Sequence, residues 1–110
     1  MIAIGEHKFN PHYAITNFEK MVGLQALDKL EKNDCMVFPY ERPEVVNYHM
    51  ANVKFPIDII FCLGGKVKKI VSNIQPGDKG RYNSLSDLVI EVNGGLCDEL
   101  GIESSMTVNL

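Results

Sequence analysis

The apolar positions of this chain come in short runs, most of them too brief for helices. Met1 to Ile4 reads as a short edge strand and His12 to Ile15 as another. Thr16-Asn17-Phe18-Glu19 is a capping-box pattern: the Thr16 hydroxyl caps a backbone N–H and the Glu19 carboxylate reaches back. Phe18, Met21 and Val22 then fall on one helical face. Gly23 weakens or ends this helix. Leu24, Leu27 and Leu30 suggest a further turn or two before the Lys32-Asn33-Asp34 turn signal.

Strands dominate the rest. Cys35 to Phe38 is a short apolar strand stopped by Pro39, followed by a polar loop at Glu41-Arg42-Pro43-Glu44. From Val45 to Met50 the residues alternate, with Val45, Asn47 and His49 on one face. Ile57 to Leu63 is apolar on both faces, as a central strand is. Gly64-Gly65 has the chemistry of a two-residue hairpin turn with positive φ. The return strand, Val67 to Ile74, loses its alternation at Lys68-Lys69, which predicts a bulge. Gln75 to Asp87 reads as a long surface loop, and Leu88 to Val92 as a strand. Asn93-Gly94-Gly95 turns into a short helix, Leu96 to Leu100, stopped by Gly101. Met106 to Leu110 reads as a last strand.

Most strand links are too short for helical crossovers. The pattern therefore predicts an α+β fold: a mainly antiparallel, twisted β-sheet or partly closed small barrel, with one early helix and one short late helix. At 110 residues the chain is a single domain, residues 1–110.

Composition narrows the function classes. An apolar fraction of 45% is that of a globular chain. A net charge of −3, with the signs mixed along the sequence, argues against nucleic acid as the partner. The one dense basic cluster, Lys66, Lys68 and Lys69, reads as a solvated strand face. Cys35, Cys62 and Cys97 form no CxxC pair, so neither a disulfide framework nor a zinc ribbon is expected. No His cluster has metal-ligand spacing, and neither a metal nor another cofactor is expected. No run is long enough to cross a bilayer, and Met1 to Glu6 lacks the pattern of a signal peptide. A soluble, cytoplasmic domain with free thiols is the expectation.

The chemistry-bearing residue of most interest is Asp58, set in the apolar run Pro56-Ile57-Asp58-Ile59-Ile60-Phe61. A carboxylate there needs hydrogen-bond partners or a shifted pKa. Backbone N–H groups, Asn52, or a Lys or Arg are the expected partners. Asn52, His49 and Arg42 are the candidates to surround Asp58 in a binding site. Glu91, in Leu88 to Val92, either points to solvent or supplies a second carboxylate near Asp58. Gly77-Asp78-Lys79-Gly80-Arg81 lacks the Gly-Lys-Ser/Thr ending of a phosphate loop. Tyr40, Tyr48 and Tyr82 could bring aromatic surface to a ligand or partner but read first as strand packing.

Taken in order, several motifs resemble the uncharacterised domain-of-unknown-function family 192. They are Ala14-Ile15-Thr16, Gly23-Leu24, Met36-Val37-Phe38, Tyr48-His49-Met50-Ala51-Asn52-Val53, Pro56-Ile57-Asp58, Val89-Ile90-Glu91, and the later Gly95 and Gly101-Ile102. The resemblance spans about residues 13–108. This chain has Val22 and Leu27 where the family pattern has Arg, Ala51 where it has Lys, Val53 where it has Thr, and Cys35 where it has Gly. An anion held through those basic groups would find little to hold it here. The resemblance implies a fold and no activity.

Three functional expectations follow. The first is a non-catalytic domain binding a small molecule or a protein through the region of Asn52 and Asp58. The second is an acid–base hydrolase or lyase using Asp58 with His49 or Glu91. The third is a structural component that self-associates through a strand edge.

Overall fold

In the computed structural model, which describes residues 1–110, the elements run β1 (Ile2–Ile4), β2 (His7–Tyr13), α1 (Asn17–Val22), a 3-10 turn (Gly23–Ala26), β3 (Asp34–Tyr48), β4 (Ile57–Leu63), β5 (Lys66–Ile74), β6 (Tyr82–Asn93), α2 (Leu96–Leu100) and β7 (Val108–Asn109). The strands form one sheet in the order β5-β4-β6-β3-β2-β1-β7. Every pairing is antiparallel except β2 with β3, which is parallel. Residues 14–33, carrying α1, supply the one crossover that a parallel pair requires.

The two outermost strands curl round to meet. Lys66 bridges Thr107, and hydrogen bonds run from Val67 N to Met106 O (2.9 Å) and from Val108 N to Gly65 O (2.8 Å). The result is a mixed, curled half-barrel, predominantly β, with two short helices. The junction also occupies part of the edge on which self-association would depend.

Both faces of the sheet are covered. A cluster of fifteen buried residues fills the concave side under α2, among them Ile60, Cys62, Ile90, Val92, Leu96 and Cys97. Thirteen others, including Leu24, Phe38, Val53, Ile59, Phe61 and Val89, lie on the other face. Strand β4 separates the two layers, and every residue from Ile57 to Cys62 is buried, as its two apolar faces require.

Locally encoded features form as the residues dictate. Thr16 and Glu19 make both halves of the capping box (Glu19 N to Thr16 Oγ1 3.0 Å, Thr16 N to Glu19 Oε1 2.9 Å). Gly64 and Gly65 both take positive φ in the β4–β5 turn. The bulge falls where the alternation fails: Phe61 pairs Lys69 and Cys62 pairs Val67, so Lys68 is the additional residue.

Other elements differ from the expectation. Strand β3 does not stop at Pro39 but runs 15 residues, because a register shift between Pro39 and Glu44 lets the ladder skip the missing N–H. Its outer half pairs with Tyr82–Ser86, so β6 begins at Tyr82 and the loop ends sooner than predicted. Strand β1 is not an edge, since β7 pairs its free side. The leucines after Gly23 give only the 3-10 turn. Helix α1 buries none of its residues, and Phe18 and Met21 are each 70% exposed.

Candidate functional site

Asp58 is sealed, at 0% exposure. Its side is set by the ladder: Asp58 lies opposite Val92, on the concave face. Three backbone N–H groups donate to it, Asn73 (2.6 Å) and Gly95 (2.9 Å) to Oδ1 and Cys97 (2.8 Å) to Oδ2. Each donor is one the fold leaves without a ladder partner. Asn73 has positive φ (51°) at a second bulge of β5, and Gly95 and Cys97 open α2, whose N-terminus has no side-chain cap of its own. Asp58 thus stitches β4 to β5 and to the β6–α2 turn. With its oxygens taken up by backbone donors and no route to solvent, it is not available as an acid or base. The hydrolase or lyase expectation built on Asp58 is corrected on this ground.

The polar groups expected around Asp58 do not gather there. Asn52 donates nothing to it. Asn52 sits exposed at φ 60° in the turn closed by Val53 N to Met50 O (3.1 Å), a left-handed position that Asn tolerates. Arg42 is exposed in the bulged part of β3, in a shallow cleft with Lys20, Tyr40 and Glu44. His49 is exposed just beyond β3, its Nδ1 accepting from Ala51 N (3.1 Å). Asn52 and His49 line one depression with Gly77, Asp78, Lys79 and Arg81. Within that loop Asp78 accepts from Gly80 N and Tyr82 Oη, both at 2.7 Å. Hydrogen bonding by Tyr82, then by Gly80, holds the Asp78 carboxyl below its usual range.

Glu91 neither points to solvent nor accompanies Asp58. It pairs with Ile59 across β4 and with Met36 across β3, on the face opposite Asp58, and is 4% exposed. α1, the 3-10 turn, residues of β3, His49 and Val53 line a cavity of about 240 Å3 into which Glu91 faces. Burial pushes its carboxyl up to about 8, with no charge or hydrogen bond to offset it. No sealed side-chain oxygen in the protein lacks a partner. The Glu91 oxygens therefore meet the cavity itself.

The surrounding groups are a mixture. Tyr40 and Tyr48 share a hydroxyl–hydroxyl hydrogen bond of 2.7 Å, and burial raises both phenols above their ordinary value. Tyr48 packs edge-on against Phe38 (5.2 Å) and Phe61 (6.0 Å). The Lys20 ammonium lies 3.9 Å from the centre of the Tyr40 ring. His49, Asn17, Gln25 and Asn47 add polar lining, and Met21, Leu24 and Val53 add apolar lining.

Of the predicted site residues, the structure thus brings Glu91 and His49 to one cavity and leaves Asp58, Asn52 and Arg42 outside it. Lys20 was not foreseen as a site residue, and Tyr40 and Tyr48, read first as strand packing, line the cavity as well. A signal for Glu91 was present: a strand paired with β4, itself apolar on both faces, is covered on both faces too. No three His, Cys, Asp or Glu side chains converge as metal ligands. No helix is long and apolar enough to cross a membrane. All three cysteines are free and buried, and burial pushes the Cys35 and Cys62 thiols up to about 12.

The fold and site define a small half-barrel domain with a carboxyl-floored cavity on its outer face. The chain belongs to the DUF192 family, described as "Uncharacterized ACR, COG1430", whose model matches residues 1–110. A protein of unknown function from Novosphingobium aromaticivorans DSM 12444 is similar at 30% identity and a TM-score of 0.89, over 93% of this chain and 75% of that one. A proposed transcription regulator from Sinorhizobium meliloti 1021 shares the fold at 21% identity and a TM-score of 0.88, over 92% and 81% of the two chains. A search of curated proteins finds no match.

Proposed function

We propose that this domain binds a small molecule in the cavity over Glu91. One observation carries the reading: a carboxyl 4% exposed, without a protein partner, faces an open cavity. Such a group costs stability and returns none to the fold, and perturbed acids of this kind collect at functional sites. The phenol pair, Lys20 and His49 supply directional contacts, and the apolar half of the lining supplies burial. No Ser, Thr, Cys or second carboxyl lines the cavity. Binding is therefore preferred to covalent or two-acid chemistry. Free thiols support a cytoplasmic setting as part of the same reading.

The test is a small-molecule mixture screen read by amide NMR shifts. Ligands should perturb Lys20, Tyr48, His49 and Glu91 together, and Glu91→Leu should abolish the effect. Hits that cluster around Asn52 and residues 77–81, or no hits at all, would overturn the proposal.

A further inference from the structure

We infer that the cavity over Glu91 takes a small protonated amine, whose ammonium pairs with the Glu91 carboxylate beside the rings of Tyr40, Tyr48 and Phe38. This rests on the proposed binding role of the cavity and adds the class of ligand.

The first argument is the missing counter-charge. The ion pairs of the protein are His12–Asp34, Lys29–Glu31, Lys32–Glu99 and Lys54–Asp28, and none includes Glu91. An ionised carboxyl at this depth needs a positive partner, and Lys20, the one Lys or Arg in the lining, lies over Tyr40 instead. The second is the field at the phenols. The carboxyls acting on Tyr40 and Tyr48 are those of Glu44 and Glu91, and the Lys20 ammonium over the Tyr40 ring balances one of them. Once Glu91 is ionised, an anion meets a net negative surrounding and a cation is drawn to it.

The third argument is the ring surface. Lys20 already lays its ammonium 3.9 Å from the centre of the Tyr40 ring, so this aromatic wall holds one ammonium in the unliganded chain. Lys20 from α1, Tyr40 and Tyr48 from β3, and His49 just after β3 are the other titratable groups lining the cavity with Glu91. Lys20 is committed to Tyr40 and makes no ion pair with Glu91. About 240 Å3 equals the volume of about eight liquid waters, which suits an amine with a short alkyl or aryl stem laid against Met21, Leu24 and Val53.

The experiment titrates n-butylammonium, n-butanol and butyrate into the full chain while the amide shifts of Tyr48, His49 and Glu91 are followed. Butylammonium should bind at least about tenfold more tightly than either counterpart. Glu91 must give up its proton to pair with the cation. The affinity should therefore rise about tenfold per pH unit up to about pH 7.5, where an alkylammonium is still fully charged. Glu91→Gln should weaken binding about tenfold or more and remove the pH dependence. Tyr48→Phe, which keeps the ring, should leave that pH dependence in place. The comparison of three probes on the wild-type chain holds even if the Gln variant does not fold. Tighter binding of butyrate or butanol, or an affinity independent of pH, overturns the amine but leaves the cavity as a binding site. Silence from all three probes together with a mixture screen that finds no hits removes the cavity reading itself.

Discussion

Glu91→Gln tests the energetics of the cavity without any ligand. Glutamine keeps the shape and the capacity to hydrogen-bond, and it cannot ionise. The Glu91 carboxyl rises from 4.5 to about 8 in the fold. At about 1.4 kcal/mol per pH unit, the ionised form is up to about 5 kcal/mol more costly in the folded than in the unfolded chain. Water admitted by the cavity screens part of this, so a change of about 2–5 kcal/mol is expected. The folded chain holds this proton more tightly than the unfolded chain. Its stabilising contribution is therefore complete below about pH 4.5 and is lost as pH rises through about 8. Urea unfolding from pH 5 to 9 should show the wild type losing stability relative to the variant, at up to about 1.4 kcal/mol per pH unit, and levelling off above pH 8. Glu19, Asp34 and Asp78, whose carboxyls are lowered, are present in both chains and cancel in the difference. Parallel curves for the two chains would refute the claim that Glu91 is buried without compensation.

Asp58→Asn turns one acceptor of the Asp58 stitch into a donor aimed at backbone N–H groups. It should cost about 3 kcal/mol in urea unfolding, and an unchanged midpoint would deny Asp58 its structural role. Gly94→Ala would bring a Cβ to 2.7 Å from Pro56 Cβ and 2.9 Å from its carbonyl carbon, so about 1–3 kcal/mol should be lost, and wild-type thermal stability would contradict that packing. The three thiols should resist a thiol reagent at pH 8 in the native chain and react at the rate of unfolding; rapid labelling of Cys35 or Cys62 would show them accessible. Val22→Arg places a cation in the cavity lining, so it should lower the Glu91 pKa and flatten the wild-type pH dependence; an unaltered profile would mean the new guanidinium does not reach Glu91.

What could be read in advance was local. The Thr16–Glu19 box, the Gly64-Gly65 turn, the bulge at Lys68 and the two-faced burial of β4 each follow from a few neighbouring residues. What could not be read depended on distant partners. Pro39 ends a strand by its own chemistry, yet β3 continues because the register shift absorbs the missing N–H. The Ser- and Asn-rich start of β6 has loop composition and becomes strand because the outer half of β3 offers a ladder. Phe18 and Met21 fall on one helical face, yet no core reaches α1, and both remain exposed.

Asp58 and Glu91 make the same point at the level of chemistry. Each is a carboxylate inside an apolar strand, and the two strands are neighbours. Their fates differ because the two sides of the sheet offer different donors. The concave side holds a bulge at Asn73 and the opening of α2, which leave three backbone N–H groups in need of an acceptor, so an acid there strengthens the fold. On the outer side no donor and no cation is paired with Glu91. Val22, on α1, lines that same cavity and adds no charge to it. A buried acid that the fold neither needs nor compensates is retained at a cost in stability, and such local conflicts concentrate where a protein meets its ligand.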